Sequence, residues 1–226
     1  MIIKEWRDLP PEMQTREVRP YWKYLKKHES QLMVKRMFDI AASMILLFIL
    51  AGPMFVISLL IKLDSKGPVI FKQERVTAYG KVFTIYKFRT MRTEMHGASV
   101  TSKNDDRITK IGRILRKYRM DEFPQLLNVL MGDMTFVGTR PEVLKYVNKY
   151  DPKYYATLLL PAGITSETSI QYKDEERLLD GAEDVDKVYV EKILPEKMKI
   201  NLNSIRHFSL ISDMKTMIRT VTSVLR

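Results

Sequence analysis

Two adjacent acidic residues, Asp121 and Glu122, stand between a segment rich in Arg and Lys that includes Arg116 and a turn that presents Arg140. Arg and Lys side chains bind phosphate oxygens through directed, charge-assisted hydrogen bonds, while carboxylates hold a hard divalent cation or attack phosphorus. The pattern therefore points to phosphate and metal chemistry. The plain alternative is a solvated, charged helix end.

The composition narrows the classes of partner and of chemistry. The chain has 226 residues, a formal net charge of +11, three histidines and no cysteine. Such a charge favours an anionic partner, which can be nucleic acid, a phosphorylated ligand or the inner face of a bilayer. The absence of cysteine excludes disulfides, zinc-thiolate sites and a Cys nucleophile. The few, widely separated histidines make a His-based metal site or a Ser-His-Asp triad a poor expectation.

Two predicted helices position the acid pair. Residues 105–118 carry apolar side chains at helical spacing, with Arg and Lys mostly on other faces. Such a helix can lie on anionic lipid, follow a nucleic-acid backbone or direct its last turn at phosphate. A second helix is predicted from Asp121 to Met131, because Pro124 is acceptable in a first turn and Gly132 favours an end. The acids then lie at a helix N-terminus, which also favours anions.

Strand patterns precede these helices. Residues 69–72 and 81–88 are rich in β-branched and aromatic side chains and are predicted to pair as a hairpin. Alternation along the second strand puts Lys87 and Arg89 on one face, from which both can reach a shared phosphate. A solvated strand end is the alternative for both. Residues 91–104 are predicted to form a polar loop that can cover the site.

One long apolar run, residues 37–61, is sufficient to cross the hydrocarbon of a membrane. Cationic residues flank both of its ends, so the positive-inside preference draws both ends toward the cytoplasm. Pro53 lies near the middle, where it favours a break or bend. We therefore predict a re-entrant, helix-break-helix segment that enters and leaves by one face, with Asp39 paired to Lys35 or Arg36. A straight span is the alternative.

Together these elements predict an α+β fold, mainly helical, with a small β-sheet or hairpin, a re-entrant membrane segment and interfacial amphipathic helices. Four parts follow along the chain. They are a basic, aromatic N-terminal arm (1–36), either at the headgroup interface or a plain arm, the membrane segment (37–61), a catalytic core (62–165) and a C-terminal helical extension (166–226).

Several motifs, taken in order, resemble one known family. They are KRMFD (35–39), GPVIFKQER (67–75), YKFRTM (86–91), the Asp121-Glu122 stretch and GDMTFVGTRP (132–141). The sequence is similar in these motifs to the bacterial polyprenyl-phosphate phosphoglycosyl transferases of the monotopic, sugar-transferase type. The resemblance covers about residues 33–165, and the ordered set is specific whereas each motif alone is weak.

The resemblance implies an enzyme that moves a sugar 1-phosphate from a nucleotide diphospho-sugar, with UDP expected, to undecaprenyl phosphate. Asp121 would be the nucleophile that forms an aspartyl-phosphosugar, and Glu122, with Asp121, would hold Mg²⁺. Arg116 and Arg140 match the family's phosphate-binding arginines, and Lys87 matches its strand lysine. Cations at these positions would offset the repulsion between a carboxylate and a diphosphate.

The implied partners are the nucleotide diphospho-sugar, undecaprenyl phosphate and membrane lipids, without nucleic acid. The implied place is the bacterial inner membrane, with the catalytic part facing the cytoplasm. A homodimer is one option for an oligomeric state that the sequence does not fix, and the sugar, the base of the nucleotide and the glycan pathway are equally open. A competing hypothesis of another class is a membrane-tethered protein that binds nucleic acid or anionic lipid without catalysis.

Overall fold

A long helix, α2 (Glu29–Asp64), follows the short helix α1 (Arg19–Lys27) and dominates the fold, in a computed structural model that describes residues 1–92, 106–172 and 184–225. Helix α2 has 36 residues and is long and apolar enough to cross a membrane. Its middle is exposed, and the Phe48 side chain is 86% accessible. The helix starts before the predicted residue 37 and continues through Pro53, so the predicted break is not an interruption of the helix.

The predicted hairpin is present and longer than expected. Strand β1 (Ile70–Val76) pairs antiparallel with β2 (Val82–Phe88). Phe83 and Ile85 are buried, and Lys87 follows them on the same face by the period-two alternation of a strand. The predicted covering loop lies outside the described residues from position 93 onward.

A second, parallel pair was not predicted from the sequence. Strand β3 (Met134–Val137) pairs with β4 (Ala162–Thr165). The turn after β3 lies directly against β4, because a Cβ atom on Gly163 would come within 2.2 Å of the Gly138 backbone nitrogen. Only glycine allows this approach. The contact fixes the course of the turn that carries Arg140.

Helices α3 (Lys110–Lys117) and α4 (Gln125–Met131) flank the acid pair. The Thr109 hydroxyl caps α3 by accepting a hydrogen bond from the Gly112 amide at 2.9 Å. The acids lie in a 3-10 turn, Met120–Glu122, and α4 begins only at Gln125. The prediction of a helix starting at Asp121 was therefore wrong by one turn, since Pro124 is the residue before the helix and not part of its first turn.

The remaining α-helices of the described residues are α5 (Leu144–Val147), α6 (Glu167–Gln171), α7 (Val185–Val188), α8 (Leu194–Arg206) and α9 (Leu210–Leu225). The N-terminal arm does not lie apart from them. Ile3, Leu9, Met13 and Val18 are buried in one cluster with side chains of α8 and of the 3-10 segment Pro152–Leu159. These buried side chains do not fit an arm that lies at the headgroup interface. The division of the chain into four parts stays a prediction.

The beginning of α2 is bonded to the rest of the protein by three charged residues. Arg36 donates to the carbonyl oxygens of Val129 and Leu130 at 2.6 and 2.9 Å, which satisfies the C-terminus of α4. Lys35 donates to Asp213 of α9, and Asp39 accepts from the Thr135 hydroxyl at 2.7 Å. The predicted pairing of Asp39 with Lys35 or Arg36 was therefore wrong, because β3 supplies its partners.

Candidate active site

Glu122 is a buried carboxylate that two cationic side chains contact. Its Oε1 accepts from Lys87 Nζ at 3.0 Å and from Arg140 Nη2 at 2.9 Å. The side chain of Glu122 is 9% exposed. Burial opposes its ionisation, but Lys87 and Arg140 reverse that effect and hold the pKa of Glu122 well below its ordinary value. The Glu122 carboxylate thus joins strand β2, the 3-10 turn and the turn after β3.

Asp121 has the opposite electrostatic environment. Burial, and then the charge of Glu122, raise the pKa of Asp121, while Lys87, Arg116 and Arg140 act against the rise. Its side chain makes no hydrogen bond to the residues that the structure describes. A partly desolvated carboxylate whose charge is offset by nearby cations is suited to attack an anionic phosphorus centre.

The sequence-predicted cations divide into two groups. Lys87 and Arg140 contact Glu122, and Arg116, at the end of α3, is close enough for its charge to lower the pKa of Asp121. These three cations and two acids are brought together. Arg89 does not belong to this group.

Arg89 lies at the C-terminus of α2. Its Nη2 donates to the carbonyl oxygens of Ile61 and Ser65 at 3.3 and 2.6 Å, and the side chain is buried. The terminal carbonyls of a helix need such donors. The predicted phosphate-binding role of Arg89 therefore does not fit its placement. Strand β2 ends at Phe88, so the alternation that put Arg89 beside Lys87 no longer applies there.

Two positioning features were missed from the sequence. Asn128, fully buried on α4, donates to the Thr84 carbonyl at 2.8 Å and accepts from the Tyr86 amide at 3.1 Å, so it joins α4 to the free edge of β2. Arg119 has a left-handed backbone with φ of 53°, which turns the chain from α3 into the acid pair. A bulky residue in that conformation is strained, and such strain is common near active sites. The local signal for either role is weak, because both depend on distant partners.

Gln125, the first residue of α4, is a further polar group near the acids. It is 2% exposed, and its Nε2 has no hydrogen-bond partner among the described residues. A buried donor without a partner is unfavourable by about 1–3 kcal/mol. A ligand oxygen at the acid pair is one way to satisfy it.

The residues fit a magnesium ion only in combination with a phosphorylated ligand. Within residues 1–92, 106–172 and 184–225, no group of three or more His, Cys, Asp or Glu side chains can hold a metal. Mg²⁺, however, is commonly bound by one or two carboxylates together with phosphate oxygens and water. Asp121 and Glu122 provide that donor set, so they remain the residues that would hold the ion.

Comparisons with known proteins identify the family of the chain. The family model described as bacterial sugar transferase matches residues 30–226. An exopolysaccharide production protein of Rhizobium leguminosarum bv. phaseoli is 38% identical over 86% of this chain and 96% of its own length. A UDP-glucose:undecaprenyl-phosphate glucose-1-phosphate transferase of Caulobacter vibrioides is 36% identical over 84% of this chain and 69% of its own.

A third relative is a UDP-N-acetylgalactosamine-undecaprenyl-phosphate N-acetylgalactosaminephosphotransferase of Aeromonas hydrophila. It is 34% identical over 88% of this chain, which spans 47% of that relative. The family match includes α2, the hairpin, the acid pair and the turn that carries Arg140. The chain therefore belongs to the bacterial sugar transferase family.

Proposed function

We propose that the protein is a membrane-associated transferase that moves a sugar 1-phosphate from a UDP-sugar to undecaprenyl phosphate. The relatives named for such reactions supply the substrate classes. The observation that carries the proposal is the contrast within the acid pair. Glu122 is bonded to two cations that favour its ionised form, whereas Asp121 accepts no hydrogen bond from the residues that the structure describes and faces the same cations.

In the first step, a carboxylate oxygen of Asp121 attacks the phosphorus that bears the sugar. The bond from that phosphorus to the bridging oxygen breaks, and the nucleoside monophosphate leaves with the electron pair. An aspartyl-phosphosugar results. In the second step, a phosphate oxygen of undecaprenyl phosphate attacks the same phosphorus, and Asp121 is released as a carboxylate. Asp121 thus accepts the sugar phosphate from the donor in the first step and gives it to the acceptor in the second.

The surrounding charges have separate tasks in this reaction. Arg116 and Arg140 reduce the repulsion between the carboxylate of Asp121 and the anionic diphosphate. Lys87 and Arg140 fix the orientation of Glu122. Mg²⁺ held by Glu122 and Asp121 with the diphosphate would neutralise charge on the departing phosphate.

We further propose that α2 is re-entrant, with both ends on the cytoplasmic side of the bacterial inner membrane. Near its beginning, Arg36 bonds to the end of α4; at its end, Asp64 accepts from the Ile111 amide at 3.0 Å. A straight crossing of about 30 Å of hydrocarbon would separate these two contacts by the whole bilayer. Helices α3 and α4 both flank the acid pair. Contacts from the two ends of α2 to these helices therefore favour a segment that enters and leaves the membrane by one face.

Two amphipathic helices are suited to lie beside α2 at the interface. Ile114 and Tyr118, on and just after α3, are 50% and 44% exposed, next to exposed basic residues. On α9, Ile211 and Ile218 are 68% and 63% exposed. Exposed apolar side chains beside cations are typical of helices bound to anionic lipid. This placement would bring the acid pair close to the headgroup region, where the acceptor phosphate lies.

The proposal is tested by the release of nucleoside monophosphate. With Mg²⁺ and the matching UDP-sugar but no acceptor, the wild-type protein should release about one UMP per active site and gain the mass of one sugar phosphate. Asp121→Asn should lower that release by at least about a thousandfold. Asp133→Asn is a matched control, because that carboxylate is paired with Lys81 away from the acid pair. No release with any UDP-sugar, even with acceptor present, would exclude the proposed function.

A further inference from the structure

A cleft of about 140 Å³ lies between the first half of α2, strand β3 and helix α9. Val34 and Phe38 form one wall, Phe136 contributes from β3, and Met214 and Met217 form the opposite wall. A space of roughly 15 Å³ already admits one water. The cleft therefore has room for a branched segment of several carbon atoms.

The floor of the cleft is polar, but its charges are already bonded. Lys35 donates to Asp213 and to the Val137 carbonyl, and Asp39 accepts from the Thr135 hydroxyl. A phosphate or other charged headgroup would have to displace these bonds. The chemistry of the cleft thus favours a hydrocarbon chain over a headgroup.

The mouth of the cleft is continuous with the apolar surface of α2. Phe38 and Met214, on opposite walls, are 48% and 57% exposed, and Phe48 further along α2 is 86% exposed. A chain lying on the exposed surface of α2 therefore meets an apolar side chain on each wall of the cleft. The surface that would face lipid therefore leads directly into the cleft.

Helix α4 connects this region with the acid pair. The acids immediately precede the start of α4, and Arg36, next to Lys35 in the cleft floor, bonds to its last carbonyls. The seven residues of α4 span about 10 Å. Leu127 and Met131 are 43% and 57% exposed and lie one turn apart, so they form an apolar track over about 6 Å of the helix.

We propose that the cleft binds a segment of the prenyl chain of the acceptor, which reaches it along Leu127 and Met131. The inference rests on the proposed function. The acceptor phosphate must reach Asp121, and the track lies on the helix that follows the acid pair, so the chain attached to that phosphate is the occupant best placed to follow it. A phospholipid acyl chain has no such reason to start at the acids.

The test fills the cleft from each wall separately. Met217→Trp acts from α9 and Val34→Trp from α2. The matched controls are Val221→Trp and Met33→Trp, which add the same side chain at nearby positions that are 60% and 44% exposed and do not line the cleft. Each variant is assayed for UMP release without acceptor and for transfer to undecaprenyl phosphate and to geranyl phosphate. The geranyl chain is about as long as α4 and is therefore too short to extend past this helix into the cleft.

Both filled variants should lower kcat/KM for undecaprenyl phosphate about five- to tenfold, and no more, because the chain can return to equally apolar lipid. UMP release without acceptor and transfer to geranyl phosphate should be unchanged, and the controls should match the wild type. An equal loss with both acceptors, or no loss with either, would overturn the inference. A response to phospholipid composition without dependence on acceptor length would assign the cleft to an acyl chain. Failure of UMP release in the wild type would instead refute the proposed function.

Discussion

Replacing Glu122 by Gln tests whether the bonded carboxylate is a structural centre of the site. The substitution keeps the size and one side-chain oxygen but removes the charge that Lys87 and Arg140 contact at 3.0 and 2.9 Å. Hydrogen bonds to charged groups contribute about 1.5–3 kcal/mol each, and breaking a buried ion pair costs about 3–5 kcal/mol. The side chains of Lys87 and Arg140 are 21% and 36% exposed, so both regain water. We therefore expect a loss of about 2–3 kcal/mol.

For a chain of this length, each kcal/mol corresponds to a shift in Tm of about 2–4 °C. Glu122→Gln should therefore lower Tm by roughly 4–12 °C in thermal unfolding of the detergent-solubilised protein. Asp121→Asn is the paired variant. Burial and the charge of Glu122 raise the pKa of Asp121, so its ionised form is unfavourable in the folded protein. Removing that charge should leave Tm unchanged or raise it, although both variants lose turnover.

The pH dependence of this difference checks its electrostatic origin. The pKa of Glu122 is lower in the folded protein than its ordinary value of 4.5. Its stabilising effect is therefore fully present above pH 4.5 and is lost as the pH falls through the lower folded value. The gap in Tm between the wild type and Glu122→Gln should narrow below pH 4.5. An equal drop in Tm for Asp121→Asn and Glu122→Gln, or a gap that does not depend on pH, would refute this reasoning.

Three further predictions concern other parts of the site. Because the pKa of Asp121 is raised above 3.8, the acid limb of UMP release should lie at higher pH than for an ordinary Asp; a pH–rate profile measured without acceptor checks this. Arg89→Gln should lower Tm by about 2–6 °C and leave the donor KM unchanged, since Arg89 bonds to the end of α2. A rise in KM with unchanged Tm would instead indicate that Arg89 binds the phosphate of the donor. Gly163→Ala should prevent folding, because its Cβ would come within 2.2 Å of the Gly138 nitrogen, and normal yield and Tm would contradict the placement of the turn. Gly52→Ala is its control, with no atom within 4 Å of the added Cβ.

The elements that sequence could predict are those with a local, periodic signal. The alternation of β2 placed Lys87 beyond Phe83 and Ile85 on one face, and the structure brings Lys87 to Glu122. The order of the motifs predicts that Arg140 lies near the acids, and in the structure Arg140 contacts Glu122. In both cases the residue types themselves, a cation and a carboxylate, require a partner.

The parts that were missed depend on partners distant in the chain. Arg89 is two residues after Lys87, but the carbonyls at the end of α2 determine where it lies. Asn128 has the local pattern of any helical polar residue, and only the free edge of β2 explains its burial. The parallel pair of β3 and β4 consists of four-residue strands, which are too short for a periodic pattern to identify.

The N-terminal arm shows how such distant packing bears on function. Its basic and aromatic composition favours an interface, yet Ile3 and Val18 are 1% and 0% exposed in the main cluster. Isolated apolar residues in irregular segments have no periodicity, so their burial is invisible before the partner surface is known. The arm also contacts the beginning of α2, because Leu32 lies in the same cluster and the Ile3 amide donates to Glu29 at 2.8 Å. The beginning of α2 is thus bonded both to the arm and, through Arg36, to the end of α4, so the helix that follows the acid pair is tied to the start of the long apolar helix.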